Sequence, residues 1–276
     1  MSTTYETDGE RTDSIETASM VVEELVVGYG DEPVIDGESL VVPDGEVTAL
    51  VGPNGSGKST LLKSMARQLD VDSGRVLVDG QALEQFPRKE LARELGHLSQ
   101  ENTAPDSLTV EGLVEHGRYP HQGFLDALGA EDTHAIDRAI ELAGVGHIRD
   151  RALGSLSGGQ KQLAWLAMAL AQDTDLLLLD EPTTFLDLHH QMEVLEIIER
   201  LRKQGDRTVV VVLHDIEQAA RIADYVVALA DGAVHARGPP AAVVTEELLR
   251  EVFRVDATVR QSPEGPQVLA RRPVHE

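Results

Sequence analysis

Residues 52–60 read GPNGSGKST and match the pattern G-x-x-x-x-G-K-S/T. The apolar run VTALV at 47–51 stops at Gly52, and beyond the match Leu61, Leu62, Met65, Ala66 and Leu69 recur on one helical face. A strand, a Gly-rich loop and a helix in that order dictate most of what such a chain can become. The glycines let backbone N–H groups turn toward phosphate oxygens, and the helix N-terminus adds a partial positive charge. Lys58 then reaches the β- and γ-phosphates of a nucleotide, and the Ser59 hydroxyl is available to Mg2+. Chance supplies roughly one such match per hundred chains of this length, and the flanking strand and helix lower that further. Gly52, Pro53, Asn54, Gly55, Ser56, Gly57, Lys58, Ser59 and Thr60 are therefore candidate nucleotide-binding residues.

Other polar groups sit where apolar runs stop. LLLLDEP at 176–182 ends a buried strand in two acids, which is costly unless both find partners. Asp180, at the carboxyl end of the strand, suits Mg2+ at one remove. Glu181, one residue on and facing the other way, is placed to orient and deprotonate a water for in-line attack. LSGGQ at 156–160 opens a helix carrying LAWLAMALA, with Ser157 as N-cap and Gly158 and Gly159 permitting close backbone approach. By themselves these five residues are a capped helix start. Gln100, after LGHLS, is a polar loop residue awaiting a partner, and His214, after VVVVL, is by itself more often structural than chemical.

The remaining pattern is one of strands alternating with helices. MVVEELVVGYG and VIDGESLVV read as strands of an antiparallel segment, and 75–78 and 96–99 as further short strands. Helical stretches occupy 110–115, 132–143 and 187–204, and VVVVL and 225–230 are strands again. Continuous rather than alternating apolar runs argue for a mostly parallel sheet covered on both faces. The expected fold class is α/β, a P-loop NTPase with a mostly parallel core sheet, an N-terminal antiparallel β segment and a helical subdomain. Residues 1–18 read as a disordered acidic leader, and 19–276 as one domain with its helical subdomain at about 101–160 and a terminal hairpin at about 253–273.

Composition narrows the setting. The chain has 276 residues and a formal net charge of −24, with no Cys. A Cys-ligated metal, a disulfide scaffold and thiol catalysis are excluded, and so much acid argues against a nucleic-acid partner. The longest near-continuous apolar run, LAWLAMALA, falls short of the ~18–20 residues needed to cross a bilayer. The N-terminal stretch MSTTYETDGERTDSIET is neither a signal nor a transit peptide. Only five of the 24 basic residues are Lys, and the acids are spread along the chain, a balance that fits adaptation to high salt, where self-repulsion is screened.

Together these motifs resemble the nucleotide-binding subunit of an ATP-binding cassette (ABC) transporter, from about Met20 to the C-terminus. GPNGSGKST matches the family's Walker A, LLLLDE its Walker B and LSGGQ its signature, in the family's order. The resemblance implies that Gln100 is the Q-loop glutamine, His214 the switch histidine and Tyr29 the aromatic that stacks on adenine. Asp187, in TTFLD, falls in the D-loop, where Phe185 replaces the family's usual Ala. It further implies a homodimer that sandwiches two ATPs with Mg2+, each site pairing one P-loop with Ser157, Gly158, Gly159 and Gln160 of the other copy. In that scheme Ser157 and Gly159 donate to the γ-phosphate, Glu181 is the general base, His214 contacts the γ-phosphate, and Gln100 links the Mg2+ site to a membrane partner.

One P-loop and no membrane span imply a separate integral membrane permease, as in import systems. VEHGRYPHQGF at 114–124, DEPTTFLDLHHQMEVLEII at 180–198 and the terminal VDATVRQSPEGPQVLARRP resemble the ATPases of iron–siderophore, haem and vitamin B12 importers. The resemblance implies a subunit at the cytoplasmic face of the cell membrane that powers uptake of an iron chelate, with an extracytoplasmic substrate-binding protein as an indirect partner. Cobalamin or haem import, another cargo, and a soluble non-transport ABC ATPase are the alternatives. His189 and His190 are adjacent on a helix, face differently, and read as a solvated pair rather than a metal site.

Overall fold

The computed structural model describes residues 18–30, 32–123, 127–204 and 207–275. In chain order, β1 (Ala18–Gly28), β2 (Pro33–Pro43) and β3 (Val47–Val51) lead into α1 (Lys58–Met65). β4 (Ser73–Val78), β5 (Gln81–Ala82), α2 (Arg88–Glu94), β6 (Leu95–Leu98), α3 (Val110–His116) and α4 (Ala130–Leu142) follow. Next come α5 (Gly158–Ala171), β7 (Leu176–Asp180), α6 (Leu188–Gln204), β8 (Thr208–Val212), α7 (Ile216–Ile222) and β9 (Tyr225–Ala230). β10 (Ala233–Gly238), α8 (Pro240–Val243), α9 (Glu246–Glu251), β11 (Val255–Ser262) and β12 (Gly265–Pro273) complete the chain.

The apolar runs form a six-stranded sheet in the order β10-β9-β3-β8-β7-β6. Its strands are parallel except β10, which pairs antiparallel to β9. Because side chains alternate along a strand, each run feeds two cores. Val47, Ala49, Val51, Leu177, Leu179, Val209, Val211, Val226 and Ala228 share one with residues of α3 to α7. Leu50, Leu176, Leu178, Val210, Val212, Val227 and Leu229 face the other, against Leu61, Leu62 and Met65 of α1 and the antiparallel sheet β2-β1-β4-β5. Each such Val or Leu contributes about 1.5–3 kcal/mol by leaving water, so a polar residue at either parity would be costly. That is why these strands read as unbroken apolar runs.

The sequence expectations for fold class and antiparallel segment hold, with local differences, and β11 and β12 pair antiparallel. The first helix ends at Met65 rather than reaching Leu69, because Arg67 takes a left-handed φ of 52° and turns the chain. Leu69 packs on the core from the turn instead. β10 had no signal distinct from the loop before it. Residues 1–17 of the expected leader lie outside the described residues, and Ala18 already opens β1. Among the described residues no helix is long and apolar enough to cross a membrane.

Within 101–160, α3 and α4 pack on α5. The GRYPH stretch is a clamp on the C-terminal end of α5, whose last carbonyls have no partner within the helix. Gly117 approaches so closely that a Cβ there would lie 2.4 Å from the Met168 carbonyl oxygen. Arg118, only 5% exposed, donates from Nε to Asp132 (2.9 Å) and from Nη1 to the Ala171 carbonyl (2.8 Å). His121 Nε2 meets the Gln172 carbonyl at 2.7 Å. Arg118→Ala strips partners from two groups at once and is expected to cost about 3 kcal/mol, seen as a lower urea midpoint at unchanged slope. A midpoint equal to the parent's would contradict this account of the clamp.

Candidate nucleotide-binding and hydrolysis site

The polar residues singled out above meet at the carboxyl ends of the parallel strands. β3 ends at Gly52, whose φ of 149° no ordinary side chain adopts and whose Cβ would lie 2.2 Å from the Leu229 carbonyl oxygen. The loop closes on itself through Lys58, whose ammonium donates to the carbonyls of Gly52 (2.9 Å) and Pro53 (2.8 Å) and lies 3.4 Å from the buried Ser56 hydroxyl. Gly57 caps α1 with a φ of 95° and no side-chain hydrogen bond, so the helix starts with uncapped N–H groups, the arrangement that binds anions. Burial lowers the Lys58 pKa, and the carboxylates of Glu181 and Asp180 oppose that shift.

Ser59 Oγ donates to Asp180 Oδ1 at 2.9 Å. Asp180 is fully buried, and its Oδ2 has no hydrogen-bond partner. Burial pushes its pKa up and the Ser59 hydrogen bond pulls it down, while the Glu181 charge adds to the rise. An orphaned carboxylate oxygen beside the loop hydroxyl fits a divalent cation. Among the described residues no group of three or more acidic or imidazole side chains could hold a metal. Mg2+ needs no such cage, since it keeps waters and takes phosphate oxygens as ligands.

Sheet register builds the next contact. Leu98 of β6 pairs with Leu179 of β7, and Asp180 of β7 with Val212 of β8, so Gln100, Glu181 and His214 emerge side by side. Gln100 Nε2 donates to Glu181 Oε2 at 2.7 Å, Thr184 Oγ1 donates to the same oxygen at 3.1 Å, and His214 Nε2 lies 2.6 Å from Oε1. Glu181 adopts a left-handed φ of 51°, a sparsely populated conformation for a non-glycine residue. Gln100 and His214, ambiguous from sequence, thus converge on one carboxylate.

A cleft of about 1030 Å³ is lined by Tyr29, Gly52, Pro53, Asn54, Gly55, Gly57, Lys58, Ser59, Thr60, Gln100, Glu181 and His214. Tyr29 is 65% exposed, with its ring free to offer a face. Val34, Thr184, Phe185 and Phe253 also line the cleft and were not foreseen. Thr184, three residues beyond Glu181, is the one with a sequence signal. Ser157, Gly158, Gly159, Gln160 and Asp187 stand apart from the cleft. Ser157 caps α5 in a reciprocal capping box, its Oγ accepting from the Gln160 N–H while the Gln160 side chain accepts from the Ser157 N–H. Asp187 Oδ1 accepts from the backbone N–H of His190 (3.0 Å) and lies 2.8 Å from its Nδ1. The two histidines are not a solvated pair: the His189 side chain is 79% exposed beside Glu193, but that of His190 only 20%.

Among the described residues the buried charged side chains are Lys58, Arg118, Asp180 and Glu181; Lys58 and Glu181 line this cleft, and Asp180 is bonded to its Ser59. Burying an ionised group with an unpartnered oxygen costs stability. Asp180→Asn is therefore expected to stabilise the nucleotide-free protein in chelator by about 1 kcal/mol, seen as a higher urea midpoint at unchanged slope. Because the folded-state pKa of Asp180 is raised, the native protein protonates it first as pH falls. The advantage of the variant should accordingly be full at neutral pH and shrink as pH drops through the raised pKa. A variant destabilised at neutral pH would contradict the reading of Asp180 as a strained buried charge.

Residues 35–184 match the family described as ABC transporter. The chain is 46% identical over 246 residues to the siderophore transport system ATP-binding protein YusV of Bacillus subtilis, covering 89% of this chain and 90% of that one. It is 42% identical over 241 residues to the ferric enterobactin transport ATP-binding protein FepC of Escherichia coli, covering 87% and 89%. Among solved structures, an inward-facing metal-chelate type ABC transporter matches with a TM-score of 0.78 at 27% identity, covering 94% of this chain and 98% of that one. A dimeric bacterial ABC transporter cassette matches with a TM-score of 0.71 at 26% identity, covering 80% and 98%. The chain belongs to the ABC transporter family, as one of its ATP-hydrolysing subunits.

Proposed function

We propose that this chain powers import of a ferric siderophore through a separate membrane permease, hydrolysing ATP between two copies of itself. The observation that carries the reading is the split of the motifs: the phosphate loop, Gln100, Glu181 and His214 share one cleft, whereas the LSGGQ turn stands apart from it on the same chain, with Ser157 and Gly158 exposed. Such a site becomes complete only when a second copy supplies the turn. The dimeric cassette among the structural matches supports that arrangement. The siderophore relatives support the cargo.

In this reading Tyr29 stacks on the adenine, and the 52–60 loop and the start of α1 hold the phosphates. The Lys58 ammonium exchanges the Gly52 and Pro53 carbonyls for phosphate oxygens. Ser59, Asp180 and Gln100 hold Mg2+, which supplies charge neutralisation on the phosphate oxygens. Glu181 accepts a proton from the water whose oxygen bonds to the γ-phosphorus as the bond to the ADP oxygen breaks. His214 and Gln100 fix that carboxylate, and His214 also reaches the γ-phosphate. From the second copy, Ser157 and Gly159 donate to the γ-phosphate, with Gly158 and Gln160 shaping the turn and Asp187 ordering the adjoining loop.

The wider assignments follow the same reading. Residues 19–276 form the ATPase domain, and 101–160 the helical subdomain that meets the permease at the cytoplasmic face of the membrane. An extracytoplasmic binding protein delivers cargo to that permease. The acid surplus belongs to a salt-adapted surface: the two acids among the buried charged residues are Asp180 and Glu181.

Glu181→Gln tests the chemistry. Hydrolysis is expected to fall by about 10²-fold or more, while ATP drives the variant into dimers on size exclusion; undiminished hydrolysis would overturn the assignment. The cargo is tested by isolating the native membrane complex and measuring uptake of labelled ferric siderophore against cobalamin. A relative from Halobacterium salinarum, a cobalamin import ATP-binding protein, is 38% identical over 231 residues. Uptake of cobalamin alone would replace the siderophore assignment.

A further inference from the structure

Gly158 and Gly159 open the same helix, yet different neighbours constrain them. A Cβ on Gly158 would meet nothing within 4 Å. A Cβ on Gly159 would lie 2.2 Å from Cγ, 2.3 Å from Cδ2 and 2.6 Å from Nδ1 of His190. The imidazole of His190 therefore occupies the space where a side chain at 159 would stand. Gly159 is not in the left-handed region, so alanine suits its backbone, and the ring supplies the three nearest atoms that exclude it.

The same ring is also tied to Asp187. Its Nδ1 lies 2.8 Å from Asp187 Oδ1, and the backbone N–H of His190 donates to the same oxygen. These bonds hold the Asp187 carboxyl below the usual carboxylate range. The neighbouring His189 ring meets that of His190 edge-on, with centroids 5.4 Å apart. A second brace runs parallel: Gln162 Nε2, one turn into α5, donates to the Pro182 carbonyl at 3.1 Å, next to Glu181. Residues 157–162 and 182–190 are thus joined at two points, one a hydrogen bond and one a ring seated on a bare α-carbon.

We propose that His190 is a positioning residue that locks the LSGGQ turn to the Asp187 loop, so that both present to a second copy of the chain as one rigid unit. The proposal rests on the two-copy reading above and assigns its geometry to a residue outside the recognised motifs. His190 touches no nucleotide; it acts through Gly159 and Asp187. Such a lock leaves nucleotide binding by a single chain untouched and affects only what the second copy meets.

The test is a double-mutant cycle on the full chain with Gly159→Ala, His190→Ala and the pair. The readouts are ATP affinity of the single chain, kcat, and ATP-driven dimerisation in the Glu181→Gln background. Each single substitution is expected to lower kcat and dimer affinity about tenfold or more, as a displaced trans element does, with single-chain ATP affinity within about twofold. The pair should recover at least about threefold over Gly159→Ala alone, because the methyl fills the space the ring vacates. Thermal melts identify any variant that fails to fold, and His190→Ala, which only removes atoms, keeps the test open if Gly159→Ala does. If His190→Ala matches the parent in kcat, or Gly159→Ala is as damaging without the ring as with it, the proposal falls. If the Glu181→Gln protein itself stays monomeric in ATP, the two-copy reading fails instead, independently of His190.

Discussion

The hydrogen-bonded register of three parallel strands is the constraint on which the rest depends. β7 is paired on one side with β6 and on the other with β8, and all three run in the same direction. Their carboxyl ends therefore lie in one row, and a residue just past each end falls beside its neighbours. A slip of one residue in either pairing would exchange the two faces of a strand and drive its inward side chains to the wrong core. Leu176 to Leu179 and Val209 to Val212 fill both cores completely, so the slip is prohibitive. The same leucines and valines that stabilise the sheet thereby fix Gln100, Glu181 and His214 within hydrogen-bonding distance.

Onto that row the protein places charge that the interior does not favour. Lys58 loses pKa to burial, and Asp180 gains it. The two shifts have one cause and opposite sign, since low dielectric penalises whichever form is ionised. Opposite charges at the strand ends offset part of that penalty, and the carbonyls of Gly52 and Pro53 satisfy the ammonium directly. Asp180 Oδ2 remains without compensation, and Glu181 sits in a strained turn. These departures from local preference coincide with the cleft, where they are expected in a protein whose sequence is otherwise consistent with its fold.

Much of this was legible in the residues alone. The phosphate loop, the two acids and the capped start of α5 are local signals, each written within about ten residues, and short-range geometry decides them. Both-face burial was legible from unbroken apolar runs such as LLLLD. What escaped depends on distant pairing. Nothing near Gln100 announces a partner 81 residues away, and Phe253 reaches the cleft from beyond the last helix with no local mark. The end of α1 was misjudged because Leu69 keeps helical spacing although Arg67 has already turned the chain. His189 and His190 were read from their adjacency, correctly as facing apart. Which of them turns inward is set by the position of α5, which periodicity within α6 does not contain.

The surface completes the argument from the other direction. Phe185 is 97% exposed at a left-handed φ of 62°, and Leu188 and Met192 continue an apolar stripe along α6. Large apolar groups left in water beside a functional cleft mark a contact surface rather than a folding defect. Two copies carrying −24 each repel at long range, but that repulsion fades within about 8 Å in physiological salt. Apolar contact, uncapped helix N-termini and nucleotide phosphate act inside that distance. In the two-copy arrangement proposed above, net charge would govern how readily copies approach, while the stripe and the LSGGQ turn would govern what they do once in contact. An acidic exterior and the proposed ATP-closing interface are compatible in one chain because they operate over different lengths.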